Sequence, residues 1–208
     1  LLSELNAYEN QTIGISNHEG GSELDALLTG KGGFTFDAHS EPIILTHSNN
    51  YTGDTIVNQG KVILGNDQAL GGIDLEKQTG QLILNGGSVD LAGFTQDVDS
   101  VQSKVGTILD LAGGTLKINP TEAAWATYSQ SDLYGEIKGN GTITMGKGNV
   151  TLHNQNNDLN ANIELWLNSS LTLKDVQSAG SSTIYLGMLG KLNLEGEGVF
   201  DNTVTGDE

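Results

Sequence analysis

Residues of one kind return along this chain at a nearly constant step, and no other feature restricts its fold so tightly. Asp90-Leu91-Ala92-Gly93 reappears as Asp110-Leu111-Ala112-Gly113, a shift of 20. Val62 and Leu64 map by the same shift onto Leu82 and Leu84, and Val89 onto Leu109. In the C-terminal half the step is 21: Val150, Leu171 and Leu192 form one file, Leu152, Leu173 and Leu194 the next, and Ile163 and Leu165 fall on Ile184 and Leu186. Each unit is a short alternating segment, such as Lys61-Val62-Ile63-Leu64-Gly65 or Lys191-Leu192-Asn193-Leu194-Glu195. Alternation places apolar side chains on one side of an extended chain and Thr, Asn, Asp and Lys on the other. Gly and Asn between the segments accept the positive φ of tight turns. Strands stacked at a fixed period make a coil of parallel strands, each turn burying its inner residues only against its neighbours. An antiparallel sandwich also has short strands and turns, but nothing in it requires like residues to return at 20 or 21.

The chain is therefore expected to be all-β: one β-solenoid over residues 1–208, with roughly nine or ten coils of about 20–22 residues and a length of roughly 45 Å. Residues 1–30 fit the period less well and read as a lead-in, with Ala26 to Phe36 as the way into the regular coils. Residues 120–135 interrupt the period. Pro120 to Tyr134 is predicted to be a loop or short helix thrown out of the coil, with Pro at a first-turn position.

Composition narrows the function. There are 29 Gly, no Cys, nine Lys and no Arg against 26 acidic residues, for a net charge of −17. Phosphate neutralisation needs clustered basic residues, so nucleic acid is excluded as a partner, and anionic lipid would repel the chain. No run of 18 apolar residues exists to span a bilayer as a helix, so no direct membrane insertion is expected. The opening Leu1-Leu2-Ser3-Glu4 lacks a basic segment of the signal-peptide kind, and Thr205-Gly206-Asp207-Glu208 has no terminating pattern, so the chain reads as a piece of a longer protein. The absence of Cys has two readings: chance or a cytosolic setting, or export in an unfolded form, where a premature disulfide would obstruct passage.

Against this background Ile44 to Gly72 resembles the passenger-associated transport repeat of autotransporters, the type V secreted proteins of Gram-negative bacteria. The residues that carry the resemblance are Leu45-Thr46, Asn49-Asn50-Tyr51-Thr52-Gly53, Thr55-Ile56-Val57-Asn58, Gly60, Val62, Leu64-Gly65 and Ala69-Leu70-Gly71. Gly86 to Val101 is similar to the segment that often follows that repeat. A degenerate second copy lies over Val150 to Gly180, keeping Asn156-Asn157 and Gln177 to Gly180 without the Tyr-Thr-Gly. The resemblance implies a right-handed parallel β-helix passenger, exported through an outer-membrane β-barrel that lies outside this chain. It further implies an extracellular, cell-surface location and a virulence-type function: adhesion to host cells through a surface receptor, or self-aggregation in biofilm. A spacer and folding template that displays an N-terminal effector such as a protease is one alternative, and a carbohydrate-active β-helix another.

No catalytic, cofactor-binding or metal site is expected, and the chain is read as no enzyme. His18, His39, His47 and His153 share no ligand spacing; His47 and His153 stand at matching places in the two copies, as turn or outer-face residues. Gly-X-Ser-X-Gly and Gly-Asp-Ser-Gly are both absent. β-helix polysaccharide lyases, which resemble this fold, use calcium-binding acids and a basic residue; with no Arg, only a Lys could serve. Asp90 with Asp110, and Asp97 with Asp99, are the pairs a glycoside hydrolase would need, but stacked outward acids are ordinarily a solvated surface. Gly20 to Asp25 and Leu194 to Gly198 lack calcium-loop spacing.

Overall fold

The computed structural model describes residues 3–18, 20, 22–74, 76, 79–121 and 128–207. These residues form a β-solenoid of parallel strands, with no helix among them, and hence none long and apolar enough to cross a membrane. Each coil passes over three faces. The first face begins with Glu4–Ala7 and Leu27–Gly30, continues through two segments without regular strand, and resumes with Thr95–Val98, Thr115–Ile118, Leu159–Leu165, Thr183–Leu186 and Val204–Gly206. The second face is a nine-stranded sheet from Thr12–Asn17 to Lys191–Leu194, one strand per coil. The third holds Glu23–Leu24, Ile43–Leu45, Lys61–Leu64, Ser88–Asp90 and Ile108–Asp110. One long strand, Glu136–Met145, rounds a corner: its start pairs with Ile108–Asp110 and its end with Thr115–Ile118. Gly139 and Gly141, at φ 85° and 150°, make that bend, in backbone regions that a Cβ disfavours.

The regular files of the C-terminal half lie where the 21-residue step puts them. Val150 pairs with Leu171 and Leu171 with Leu192; Leu152 pairs with Leu173 and Leu173 with Leu194. Ile163 stands against Ile184 and Leu165 against Leu186. Their side chains fill the interior, where each buried Leu or Ile contributes about 1.5–3 kcal/mol of transfer free energy. Leu194, at the end of its file, is 46 % exposed.

In the N-terminal half the step is irregular, and this corrects one assignment and the uniform coil length. Val62 and Leu64 do not lie beneath Leu82 and Leu84. Val62 belongs to the third face, between Ile43 and Val89, whereas Leu82 belongs to the second, between Thr55 and Val101. Both segments alternate, so a 20-residue shift from one face to the next imitates a coil step. The true step from Thr55 to Leu82 is 27 residues, because the chain leaves the coil after Gly72 and closes a small antiparallel bridge between Asp74 and Thr79. A second excursion stretches the step from Gln102 to Asp132 to 30. The excursion expected over Pro120 to Tyr134 falls partly on residues 122–127, outside the described residues; its latter part, Ser129–Leu133, is a strand of the second face. The lead-in is already coiled, since Thr12–Asn17 pairs along its whole length with Gly33–Ala38.

Candidate functional site

Where the first face lacks strands, side-chain amides replace the backbone. Asn49 is buried; its Oδ1 accepts the Leu28 N–H at 2.8 Å and its Nδ2 donates to the Ala69 carbonyl at 2.7 Å. The amide thus does what a strand peptide would do, satisfying the coil before it and the coil after. Gln96, also buried, takes the Leu70 N–H at 2.8 Å and gives to the Gly71 carbonyl at 2.9 Å. Tyr51 fills the interior beside them, its ring edge-on to Phe34 at 4.7 Å between centroids and its hydroxyl 2.6 Å from Thr55 Oγ1. Burial pushes its phenol far above the ordinary range, with the Thr55 hydrogen bond pulling slightly back. The Asn-Asn-Tyr-Thr-Gly stretch is therefore internal architecture.

Above this framework lies a groove. The chain leaves the coil twice at the same corner, between the first and second faces: after Gly72 and, two coils later, after Asn119. Beside these departures lies a cavity of about 620 Å³, lined by Asn50, Thr52, Gln68, Asp97, Ile73 and Pro120 among others. Pro120 also borders a second, more apolar cavity of about 340 Å³ with Thr144, Gly146, Trp166 and Leu167. Asp97 points outward between two inward neighbours, Gln96 and Val98. Its Oδ1 is buried without a hydrogen-bond partner among the described residues. Trp166 Nε1 donates to Glu164 at 3.3 Å, and Tyr185 tilts against the indole at 5.1 Å.

The acids and histidines singled out in the sequence separate into different roles. Asp90 and Asp110 are register partners, yet each takes a lysine of its own, Lys61 at 2.6 Å and Lys138 at 3.5 Å. Each also caps its own turn by accepting the N–H of Ala92 or Ala112, residues held at φ 49° and 43°. The repeated Asp-Leu-Ala-Gly is a turn device. Asp99, expected to face solvent beside Asp97, is buried; burial and then the charge of Asp54 raise its carboxyl above the usual range. His18 stacks on His39 at 4.2 Å, a pairing whose only trace in the sequence is their separation by one 21-residue step. His47 and His153 lie beside Asp25 and Asp132 at 2.9 and 3.0 Å. They follow strands of different faces, Ile43–Leu45 and Gly148–Leu152. Among the described residues no three acids or histidines converge on a common point as metal ligands would.

The groove itself was not legible in the sequence. Its described lining comes from four successive coils, brought together only by how the coils stack.

Comparison with known proteins gives two relatives. The chain is 26 % identical to the uncharacterized lipoprotein YdeK of Escherichia coli K12 over 211 aligned positions, covering 99 % of this chain and 15 % of that protein. It is 35 % identical to the adhesin BmaC autotransporter of Brucella suis biovar 1 over 99 residues, 47 % of this chain and 3 % of that protein. The chain thus spans a small fraction of the length of each. No family model matches, and no solved structure does.

Proposed function

We propose that this chain is a non-catalytic stretch of a bacterial cell-surface autotransporter passenger, serving adhesion to a host receptor or to copies of itself on neighbouring cells. The observation that carries this is the likeness to an autotransporter adhesin over nearly half the chain. The solenoid suits it: a rod with acidic, amide- and hydroxyl-bearing faces stays soluble outside a cell and offers a broad polar contact surface. Outer ladders such as Ser170 to Asn149 at 2.6 Å and Asn193 to Thr172 at 3.2 Å hold those polar groups in register. Export through a barrel, surface location and the absence of catalysis belong to the same proposal.

A spacer is the second reading. It is favoured by the small share of each relative's length that the chain represents, as a few coils of a long stalk would. Bacteria displaying the full-length protein, with and without residues 44–200, separate the two. Loss of adhesion or aggregation with display intact supports adhesion; unchanged adhesion with display intact supports the spacer.

A further inference from the structure

On the outer side of the second face, one residue per coil forms a file where the sheet ends at its corner. Asn85, Lys104, Tyr134 and His153 follow the stacked positions Leu84, Ser103, Leu133 and Leu152. The Tyr134 and His153 rings stack across neighbouring coils, 3.8 Å between centroids and 12° between planes. With the imidazole covering one face of the phenol, the other face is turned along the rod towards the coil of Lys104. A cavity of about 220 Å³ lies on that side, bounded by Tyr134, Ile83, Asn85, Gln102, Lys104 and Asp132 among others. All six reach solvent: Asn85, Lys104 and Tyr134 are exposed, and the other three partly so. Tyr134 and Asn85 stand two coils apart, about 10 Å at one strand spacing per coil. A slot of that size takes one six-membered ring with its substituents. Its apolar walls are the phenol of Tyr134 and the side chain of Ile83, and the C–H face of a sugar stacks on such a wall while its hydroxyls bond to polar groups at the rim.

The rim groups can still bond. Gln102 Nε2 donates to the Gln130 carbonyl at 2.7 Å and Asn85 Nδ2 to Asn58 Oδ1 at 3.1 Å. Among the described residues neither amide oxygen receives a donor, so both can accept a ligand hydroxyl. Asp132 is already engaged, by His153 at 3.0 Å and by the Gln130 side chain at 3.3 Å. Lys61, Lys138 and Lys174 each hold a carboxylate, whereas the Lys104 ammonium meets none among the described residues. A ligand carboxylate would supply that partner as a charge-assisted hydrogen bond. The net charge of −17 opposes this only weakly, because at physiological ionic strength exposed charges further apart than about 8 Å are largely screened.

We infer that this slot binds a terminal pyranose carrying a carboxylate, its ring against Tyr134, its acid group on Lys104 and its hydroxyls on Asn85 and Gln102. This rests on the surface-adhesion proposal and gives it a ligand class. The test titrates the isotope-labelled 208-residue chain with methyl glycosides of N-acetylneuraminate, glucuronate and galacturonate, and of glucose, galactose and N-acetylglucosamine, following amide resonances. At least one acidic glycoside is expected to shift the amides of 83–85, 102–104 and 132–134 saturably, binding at least tenfold more tightly than any neutral one. Tyr134→Ala should weaken that binding at least tenfold, whereas Tyr134→Phe, which keeps the ring, should stay near the parent. Lys104→Gln should bring the acidic glycoside down to the neutral level. Amides of 159–173 at their parent positions confirm that each variant keeps its coils. No saturable shift with any acidic glycoside, shifts confined to other coils, neutral glycosides bound as tightly, or unaltered binding by Tyr134→Ala or Lys104→Gln overturns the assignment. On cells, adhesion lost when host glycans are stripped of terminal acidic sugars places the ligand on the host, and self-aggregation lost in displayed Tyr134→Ala and Lys104→Gln bacteria places it on the bacterium. Adhesion and aggregation that both persist in those variants overturn the slot as the adhesive site and leave surface adhesion standing. Glycoside binding by the purified chain, with no adhesion by parent bacteria, does the reverse.

Discussion

The segments around Asn49 and Asn156 resemble each other in sequence only faintly, yet the structure gives them one construction at two different corners. Asn156 Oδ1 accepts the Ile137 N–H at 2.7 Å and Nδ2 donates to the Ser178 carbonyl at 2.7 Å, repeating the bonds of Asn49 to Leu28 and Ala69. The backbone repeats too: Asn49 N–H goes to Gln68 O at 3.1 Å and Asn156 N–H to Gln177 O at 3.2 Å. In both, a buried amide completes a coil where no strand runs. The places differ, because Asn49 serves the first face and Asn156 the third, where Ile137 aligns with Leu109. The first copy adds an aromatic plug, Tyr51, with its Thr55 partner; at the matching distance from Asn156 the second has Asp158. The difference teaches that the amide bridge is the transferable part and that the plug is local packing.

Removing the plug has the largest expected effect. Tyr51→Ala should cost about 3–5 kcal/mol, as large aromatic truncations in cores do, and strip protection from amides around residues 28–34 while leaving 150–173 protected in hydrogen exchange. Loss of protection along the whole rod would show that the coils do not behave as semi-independent neighbours. Next come the bridges themselves. Asn49→Ala and Asn156→Ala each leave a buried N–H and a buried carbonyl unpaired, so each should cost about 1–3 kcal/mol in urea unfolding. Values that differ beyond error would break the equivalence of the two sites. Thr55→Val, which removes the hydroxyl joined to Tyr51 and to the Leu70 carbonyl, should cost about 1 kcal/mol and have no counterpart in the second copy.

The smallest effects are in acid titration, where the two regions should respond with opposite sign. Asp99, which neighbours the first copy through Asp54, has a raised carboxyl. The folded form therefore holds its proton more tightly, and the associated stability is present at low pH and lost as pH rises through the raised value. Asp99→Asn should raise Tm at pH 7 and leave it unchanged near pH 3. Asp175, in the second copy, is lowered by hydrogen bonds from the Gln155 side chain and then from the Gln177 N–H. Its contribution is present above the ordinary carboxylate range and lost as pH falls through the lowered value. Because it is only part-buried, Asp175→Asn should lower Tm only slightly at pH 7. Shifts of the same sign at pH 7 for the two variants would refute the contrast.

What the chain shows of itself depends on how regular each region is. In the 150–194 region, inward Leu and Val recur at 21 with no insertion, so the files could be read directly and match residue by residue. Around residues 62–84 the same pattern misled, because alternation marks which side of a strand is buried but not which of three faces the strand occupies. The inward file on the second face also contains Thr55 and Ser131, polar residues that break the apolar pattern. Ser131 Oγ accepts the Val101 N–H at 2.9 Å, a bond made only when coils stack.

The sequence by itself determined that this is a β-solenoid, because period and alternation are one-dimensional properties and a stack of coils is a nearly one-dimensional fold. It also marked the Asp-Leu-Ala-Gly turns, whose hydrogen bonds close within two residues. Only the tertiary structure decided where Asn49 and Asn156 bridge, that Asp97 is left with an unpaired oxygen, and that Asn50 and Asp97 line one cavity. Those relations join residues separated by whole coils and by insertions of unequal length, and the distance between such residues is set by how the coils stack, not by any spacing along the chain.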